Sequence, residues 1–276
     1  MNKPLIMNEC GDLRKMKTRL REDGTAEYRL PLGEGRDVPL APLIGRPLKL
    51  EWTGDIHCIH CGRKTRKSFN QGYCFPCVRR LARCDTCIVK PELCHYHQGT
   101  CREPAWARDN CLRPHVVYLA NSSGLKVGIT RAAQIPTRWI DQGATQALPI
   151  LQVGERLLAG RAEVALKQHV SDRTQWQKML RGAAPVVDLA AERDRLLQLA
   201  AAELAAIGEG LERLAAAEIH IRYPVLRYPD KVRSFNFDKQ PQVTGTLTGI
   251  KGQYLIFDTG VINIRKFAGY RIALAA

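Results

Sequence analysis

Cysteine carries the most direct chemistry in this chain of 276 residues, and nine of its ten cysteines lie between Cys58 and Cys111. CIHC pairs Cys58 with Cys61, and after twelve intervening residues CFPC pairs Cys74 with Cys77. Two cysteines three apart turn both thiolates toward one ion, and Gly62 suits the strained turn of such a knuckle. Four sulfurs make a closed tetrahedral zinc site, which stabilises a fold and leaves no position open for catalysis. His57 and His60 are alternative ligands that two complete pairs make unnecessary. Redox use of CxxC needs a βαβ context that this stretch lacks.

A second set follows: Cys84, Cys87, Cys94, His95, His97, Cys101 and Cys111. The expected second zinc site is Cys84, Cys87, Cys94 and Cys101, with His97 and Cys111 as substitutes. Buried thiols are the alternative for Cys94, Cys101 and Cys111. Disulfide frameworks belong to small secreted chains; this chain is long and opens without a basic and apolar leader, so a cytoplasmic protein is expected. No stretch approaches the roughly 20 apolar residues of a spanning helix, and no membrane partner is expected.

Lys and Arg number 42 against 27 Asp and Glu, a formal charge of +15. Two all-cysteine zinc sites would lower this to about +11, so the basic character persists. Such a surplus predicts a polyanionic partner, DNA or RNA, held mainly through phosphates. The stretch GRKTRKSFNQG, between the first two cysteine pairs, places four cations on an expected exposed loop. RSFNFDK sets Phe235 and Phe237 among cations, which suits either base stacking or the core of a small sheet.

The elements that must position these residues follow from periodicity. Residues 1–50 hold short strands, AEYRLPL and PLKLEWTG, around prolines and LGEGRD. The zinc block runs over 51–113. After Pro114 come two β-rich runs around an NSSG turn, HVVYLANSSGLKVGIT, then a helix in IPTRWIDQGATQA, a strand in LPILQVGER and a helix in GRAEVALKQHVSD. A long helix is expected from Asp188 to Glu218, because Leu197, Ala200, Leu204, Ile207, Leu211 and Leu214 form a short heptad stripe; Gly208 and Gly210 weaken it. That stripe serves either its own domain or a protein partner. Residues 219–276 return to β-branched and aromatic runs broken by glycines, a small barrel or curled sheet. DTG at Asp258–Gly260 occurs once and reads as a hairpin turn, since aspartic protease chemistry needs two facing carboxylates.

Within 114–183 the order of parts resembles the GIY-YIG nuclease core. VVY, ending at Tyr118, stands where that family has GIY, and KVG, Lys126 to Gly128, stands where it has YIG. Arg138 follows in the next helix and Glu163 in the one after. Val116 replaces the first Gly and Lys126 the second Tyr. The whole chain also resembles an uncharacterised microbial domain-of-unknown-function family, through its CxxC pairs, CREPAW, VYLA, KVGIT and RWIDQGA.

The GIY-YIG resemblance implies an endonuclease that cleaves phosphodiesters with a magnesium ion on Glu163. Arg138 would neutralise phosphoryl charge and Tyr118 would take a proton; Lys126 would contact phosphate or lower the Tyr118 pKa. The expected protein is therefore α+β and multidomain: an N-terminal β segment, a zinc-ribbon-like double zinc block, a GIY-YIG-like α/β core over 114–183, a helical connector over 184–218, and a C-terminal β domain over 219–276. Its expected function is nucleic-acid processing. The alternatives are nucleic-acid binding by a degenerate core without cleavage, and a protein-interaction scaffold using the 188–218 helix.

Overall fold

The computed structural model describes residues 8–33 and 35–276, so the first seven residues of the N-terminal segment and Glu34 lie outside the described residues. The chain forms two compact units. One takes the chain to Val78 with Leu180–Gly182 and Arg222–Ala276, and the other takes Arg79–Met179 and Ala183–Ile221.

The first unit is built on a six-stranded antiparallel sheet in the order Asn8–Asp12, Tyr270–Ala275, Pro47–Ile56, Gln242–Lys251, Tyr254–Phe257, Gly260–Asn263. A three-stranded meander, Lys17–Leu20, Ala26–Pro31 and Asp37–Pro39, accompanies it. Strand Pro47–Ile56 shows the period of two that drives such a sheet: Leu48 and Leu50 are buried, while Lys49 and Glu51 pair at 2.6 Å on the other face. The sheet is open, with Asn8–Asp12 and Gly260–Asn263 as its edges, so the barrel alternative for 219–276 is not formed. The terminal strands instead pair with Pro47–Ile56 and Asn8–Asp12, which uses the hydrogen-bonding edges that closure would need.

Phe235 and Phe237 are buried, and the Phe237 ring lies 4.9 Å from that of Phe267. They build core, and the stacking option for RSFNFDK falls. Asp258 and Thr259 turn a hairpin, as expected: Asp258 accepts from the Thr246 amide at 2.9 Å and Thr259 donates to the Thr244 carbonyl at 2.9 Å.

The second unit centres on strand His115–Asn121, paired on one side with Leu125–Arg131 and on the other with Gln146–Val153. Short strands Ile219–His220 and Glu212–Arg213 extend the sheet along Gln146–Val153. Helices Arg156–Leu166 and Leu189–Leu199 bury Ala159, Ala162, Ala165, Leu166, Leu189 and Leu196 in one core with Val117, Leu119, Val127 and Ile129. Because strand side chains alternate, Tyr118, Lys126 and Gly128 share the opposite face.

The long helix expected over 188–218 is shorter. Asp188 caps it by accepting from the Ala191 amide at 2.9 Å, and helical structure ends at Ala206 after a break at Ala200. Gly208, with φ of 96°, turns the chain so that Glu212–Arg213 can join the sheet. The leucine stripe packs on the core of its own unit, with Leu197, Leu204, Ile207 and Leu211 partly buried against it. No helix among the described residues is long and apolar enough to cross a membrane.

Candidate functional site

The two CxxC pairs fold as the sequence predicts. Cys58 leaves strand Pro47–Ile56 into a turn closed by the Gly62 amide, which donates to the Cys58 carbonyl at 3.0 Å with Gly62 at φ 70°. Cys74 precedes helix Phe75–Arg80 and Cys77 lies within it. All four Sγ atoms fall within 4.8 Å of one another, and Cys61 and Cys74 are 3.7 Å apart. A tetrahedron with zinc–sulfur bonds of about 2.3 Å has edges of about 3.8 Å, so the cluster fits zinc.

Electrostatics point the same way. Burial works against the Cys58 thiolate, yet amides of Cys61, Cys74 and His60 bring its pKa down to about 6. Burial and three neighbouring sulfurs push Cys77 upward. Four thiolates cannot share this space without a cation, and a dication meets that need. His57 is not a ligand here; its Nδ1 pairs with Asp12 at 3.0 Å. Between the pairs, Arg63, Lys64, Arg66 and Lys67 are exposed, as expected of that loop, with Lys64 paired to Asp55.

In the second set, three of the expected ligands and one of the two expected substitutes line a common cavity. Cys87, Cys94, Cys101 and Cys111 line one small cavity with Asp85 and His95, and Cys84 is not among its lining residues. His97 pairs instead with Glu155 at 2.6 Å.

Arg138 and Glu163 lie within electrostatic reach of both Tyr118 and Lys126. Tyr118 is fully buried on the central strand, opposite Gly128 in register. A Cβ on Gly128 would sit 2.7 Å from the Tyr118 hydroxyl, so the glycine makes room for the ring. In the short helix Thr137–Asp141, buried Trp139 and Ile140 act as anchors, and the Trp139 ring meets that of Tyr118 edge-on at 5.8 Å. This anchoring brings Arg138 into polar contact with the Tyr118 hydroxyl. Gln142, one turn after Arg138, donates to the same hydroxyl at 3.0 Å.

Burial raises the Tyr118 pKa, against the opposing pull of Arg138 and Gln142. The expected lowering by Lys126 is not found: desolvation of a fully enclosed phenol outweighs the cations around it. Burial, then the charge of Arg138, brings Lys126 down to about 8, while Glu163 and Asp172 pull the other way. Burial and the neighbouring Asp172 carboxylate raise Glu163, against Lys167, Arg138 and Lys126. The cluster thus sets two cations beside two carboxylates under partial desolvation.

Sequence reasoning missed Gln142 and Asp172. Gln142 carried a signal, since four residues separate it from Arg138 on a helix. Asp172 follows the helix in a loop and carried none.

Comparison with known proteins gives one family. The chain belongs to the family described as "Protein of unknown function (DUF2797)", whose model matches residues 45–272. No curated protein and no solved structure matches the chain.

Proposed function

We propose that this protein processes nucleic acid, with residues 114–183 as a GIY-YIG-like core that cleaves phosphodiesters. One observation carries the reading: Tyr118, Lys126, Arg138 and Glu163, separated in sequence, share one electrostatically coupled cluster. The elements bearing them follow in the order hairpin, helix, strand, helix.

Glu163 would hold magnesium, with Asp172 beside it, and the ion would supply positive charge to the scissile phosphate. Arg138 binds a phosphoryl oxygen and opposes the negative charge that grows there as water attacks phosphorus and the bond to one ester oxygen breaks, that oxygen leaving with a proton from solvent. Tyr118 takes the proton of that water once bound substrate and ion offset the burial that raises its pKa, with Arg138 and the Gln142 amide already pulling toward the phenolate. Lys126 adds positive charge from the same face of the sheet. The exposed cations at 63–67, on a loop between the CxxC pairs, hold the nucleic-acid backbone without reading its sequence.

The test is incubation of purified protein with labelled DNA and RNA in magnesium, beside Glu163→Gln and Arg138→Ala. Cleavage should fall at least about 100-fold in both variants. Equal cleavage in all three proteins, or none in any, sinks the catalytic reading.

The complete burial of Tyr118 favours a second reading, in which the core grips nucleic acid without cutting it. Salt-sensitive binding that persists in Glu163→Gln, with no turnover in the parent protein, identifies that case.

A further inference from the structure

The stretch from Ala82 to Gln98 contains only single 3-10 turns, Ala82–Cys84, Thr86–Ile88, Pro91–Leu93 and Tyr96–Gln98. Their buried residues are few, and Val89 and Leu93 are exposed by 80% and 53%. Burial on this scale holds little irregular chain in place. Four cysteines nevertheless face one small space from well-separated positions. Cys87, Cys94, Cys101 and Cys111 line one cavity closed by Ile88, Trp106 and Ala107. Cys87 lies within electrostatic reach of Cys94 and Cys101, and Cys111 interacts directly with Cys94.

The other donors at this cavity have partners. Asp85 is bound by Arg102 at 2.7 Å and accepts from the Thr86 amide at 2.6 Å. His95 uses Nδ1 on the Thr100 hydroxyl at 2.7 Å and turns Nε2 toward Asp85 at 3.5 Å. Asp85, Cys87 and His95 do lie close enough to form a mixed ligand trio. That choice would break the Arg102 pair and strand three thiols in a desolvated cavity. Soft thiolates favour zinc over such a set.

We propose that Cys87, Cys94, Cys101 and Cys111 form a second, closed zinc centre. Its ligands replace those expected from the CDTC pair: Cys111 takes the place of Cys84. The centre has a mechanical role beyond its own loops. The Cys111 carbonyl accepts from the Arg156 amide at 2.8 Å, and the Arg156 guanidinium donates to the Ile88 carbonyl at 2.7 Å. Gly160, one turn on, packs directly against the Pro91–Glu92 backbone. Zinc here therefore clamps the helix Arg156–Leu166, which carries Glu163.

The inference stands apart from the cleavage reading, because its test reads metal and thiols alone. Purified full-length protein should contain about two zinc ions per chain by mass spectrometry of the metals. Cys101→Ser and Cys111→Ser should fall to about one, and Cys84→Ser should keep both. Cobalt substitution should give tetrathiolate charge-transfer bands at about twice the intensity seen in Cys58→Ser. Should variants fail to fold, iodoacetamide labelling of the unaltered protein decides: Cys111 is alkylated only after chelation. About one zinc per chain overturns the proposal, as does alkylation of Cys111 without zinc loss. So does retention of two ions in Cys101→Ser together with loss of one in His95→Ala.

Discussion

Tyr118 and Gly128 face each other across the hairpin, and the sequence motif that singled them out has a steric reason. Replacing Gly128 by Ala puts a methyl group 2.7 Å from the Tyr118 hydroxyl and 2.8 Å from Cζ, on a fully buried ring that cannot swing away. Overpacking of this kind costs about 1–3 kcal/mol. Gly128→Ala should lower the urea midpoint accordingly and change the fluorescence of Trp139, which lies against the ring. Tyr118→Phe in the same protein should restore part of the loss by removing the nearest atom. His115, three residues earlier, supplies a second prediction. Its Nδ1 hydrogen bonds the Arg113 carbonyl at 2.7 Å, leaving Nε2 buried without a partner. Burial, reinforced by Arg156 and Arg131 and opposed by the Arg113 hydrogen bond, lowers its pKa to about 4. The unfolded value is about 6.5, so between these values only the unfolded chain takes the proton. Stability present at neutral pH is then lost as pH falls from 6.5 toward 4, by about 2 kcal/mol at pH 5. His115→Gln should flatten that part of the profile in paired urea titrations at pH 7.5 and 5. Acid release of zinc, common to both proteins, cancels in the difference.

Among the elements, the helix Arg156–Leu166 shows how packing overrides propensity. Alanine is favoured over glycine inside a helix by about 1 kcal/mol. At Gly160, however, a Cβ would lie 2.6 Å from the Pro91 carbonyl carbon and closer still to the Glu92 nitrogen. Both are backbone atoms and cannot rotate aside. Gly160→Ala should therefore destabilise by about 1–3 kcal/mol despite its propensity. Amide exchange should speed up along the first half of this helix, and a thermal midpoint equal to or above that of the parent protein would refute the contact. Elements with strong local periodicity were legible: the hairpin around NSSG, the LPILQV strand and the helix bearing Glu163. The end of the 188–218 helix was not, because the leucine spacing runs on beyond Gly208 while a positive φ there redirects the chain. Of the two alternatives for the C-terminal segment, barrel or curled sheet, the barrel failed for a different reason. Gln242–Lys251 pairs with Pro47–Ile56, a partner almost two hundred residues away that no local pattern announces. The second cysteine set left its ligands open between Cys84 and Cys111, because local spacing favours the CDTC pair while Cys111 reaches the same cavity as Cys87 only through tertiary structure.

At the scale of the whole molecule, charge and metal make opposing demands that one experiment can separate. The formal charge of +15 drops to about +11 with two tetrathiolate zinc sites, since each adds about two negative charges. If nucleic acid were held by net charge alone, removing zinc and protonating the thiols would leave the chain more basic and the affinity no weaker. The exposed cations Arg63, Lys64, Arg66 and Lys67 sit on the loop that joins the two halves of the first cysteine cluster. Backbone pairs hold the start of this loop, the Cys58 amide donating to the Arg63 carbonyl and the Thr65 amide to the Ile56 carbonyl at 2.9 Å each, and an ion shared by Cys58, Cys61, Cys74 and Cys77 would fix the rest. Phosphate contacts release counterions, so about five of them weaken binding about 500-fold between 50 and 200 mM salt. Zinc-loaded protein should show that slope on single- or double-stranded nucleic acid by fluorescence anisotropy. After chelation, the slope should fall by about the number of loop cations that lose register, and affinity at low salt should drop despite the higher charge. Arg63→Ala with Lys67→Ala should lower the slope of the zinc-loaded protein and make it insensitive to chelation. An unchanged slope in the chelated protein would mean that the loop does not need its metal to meet phosphate, and that the basic surface acts without a built interface.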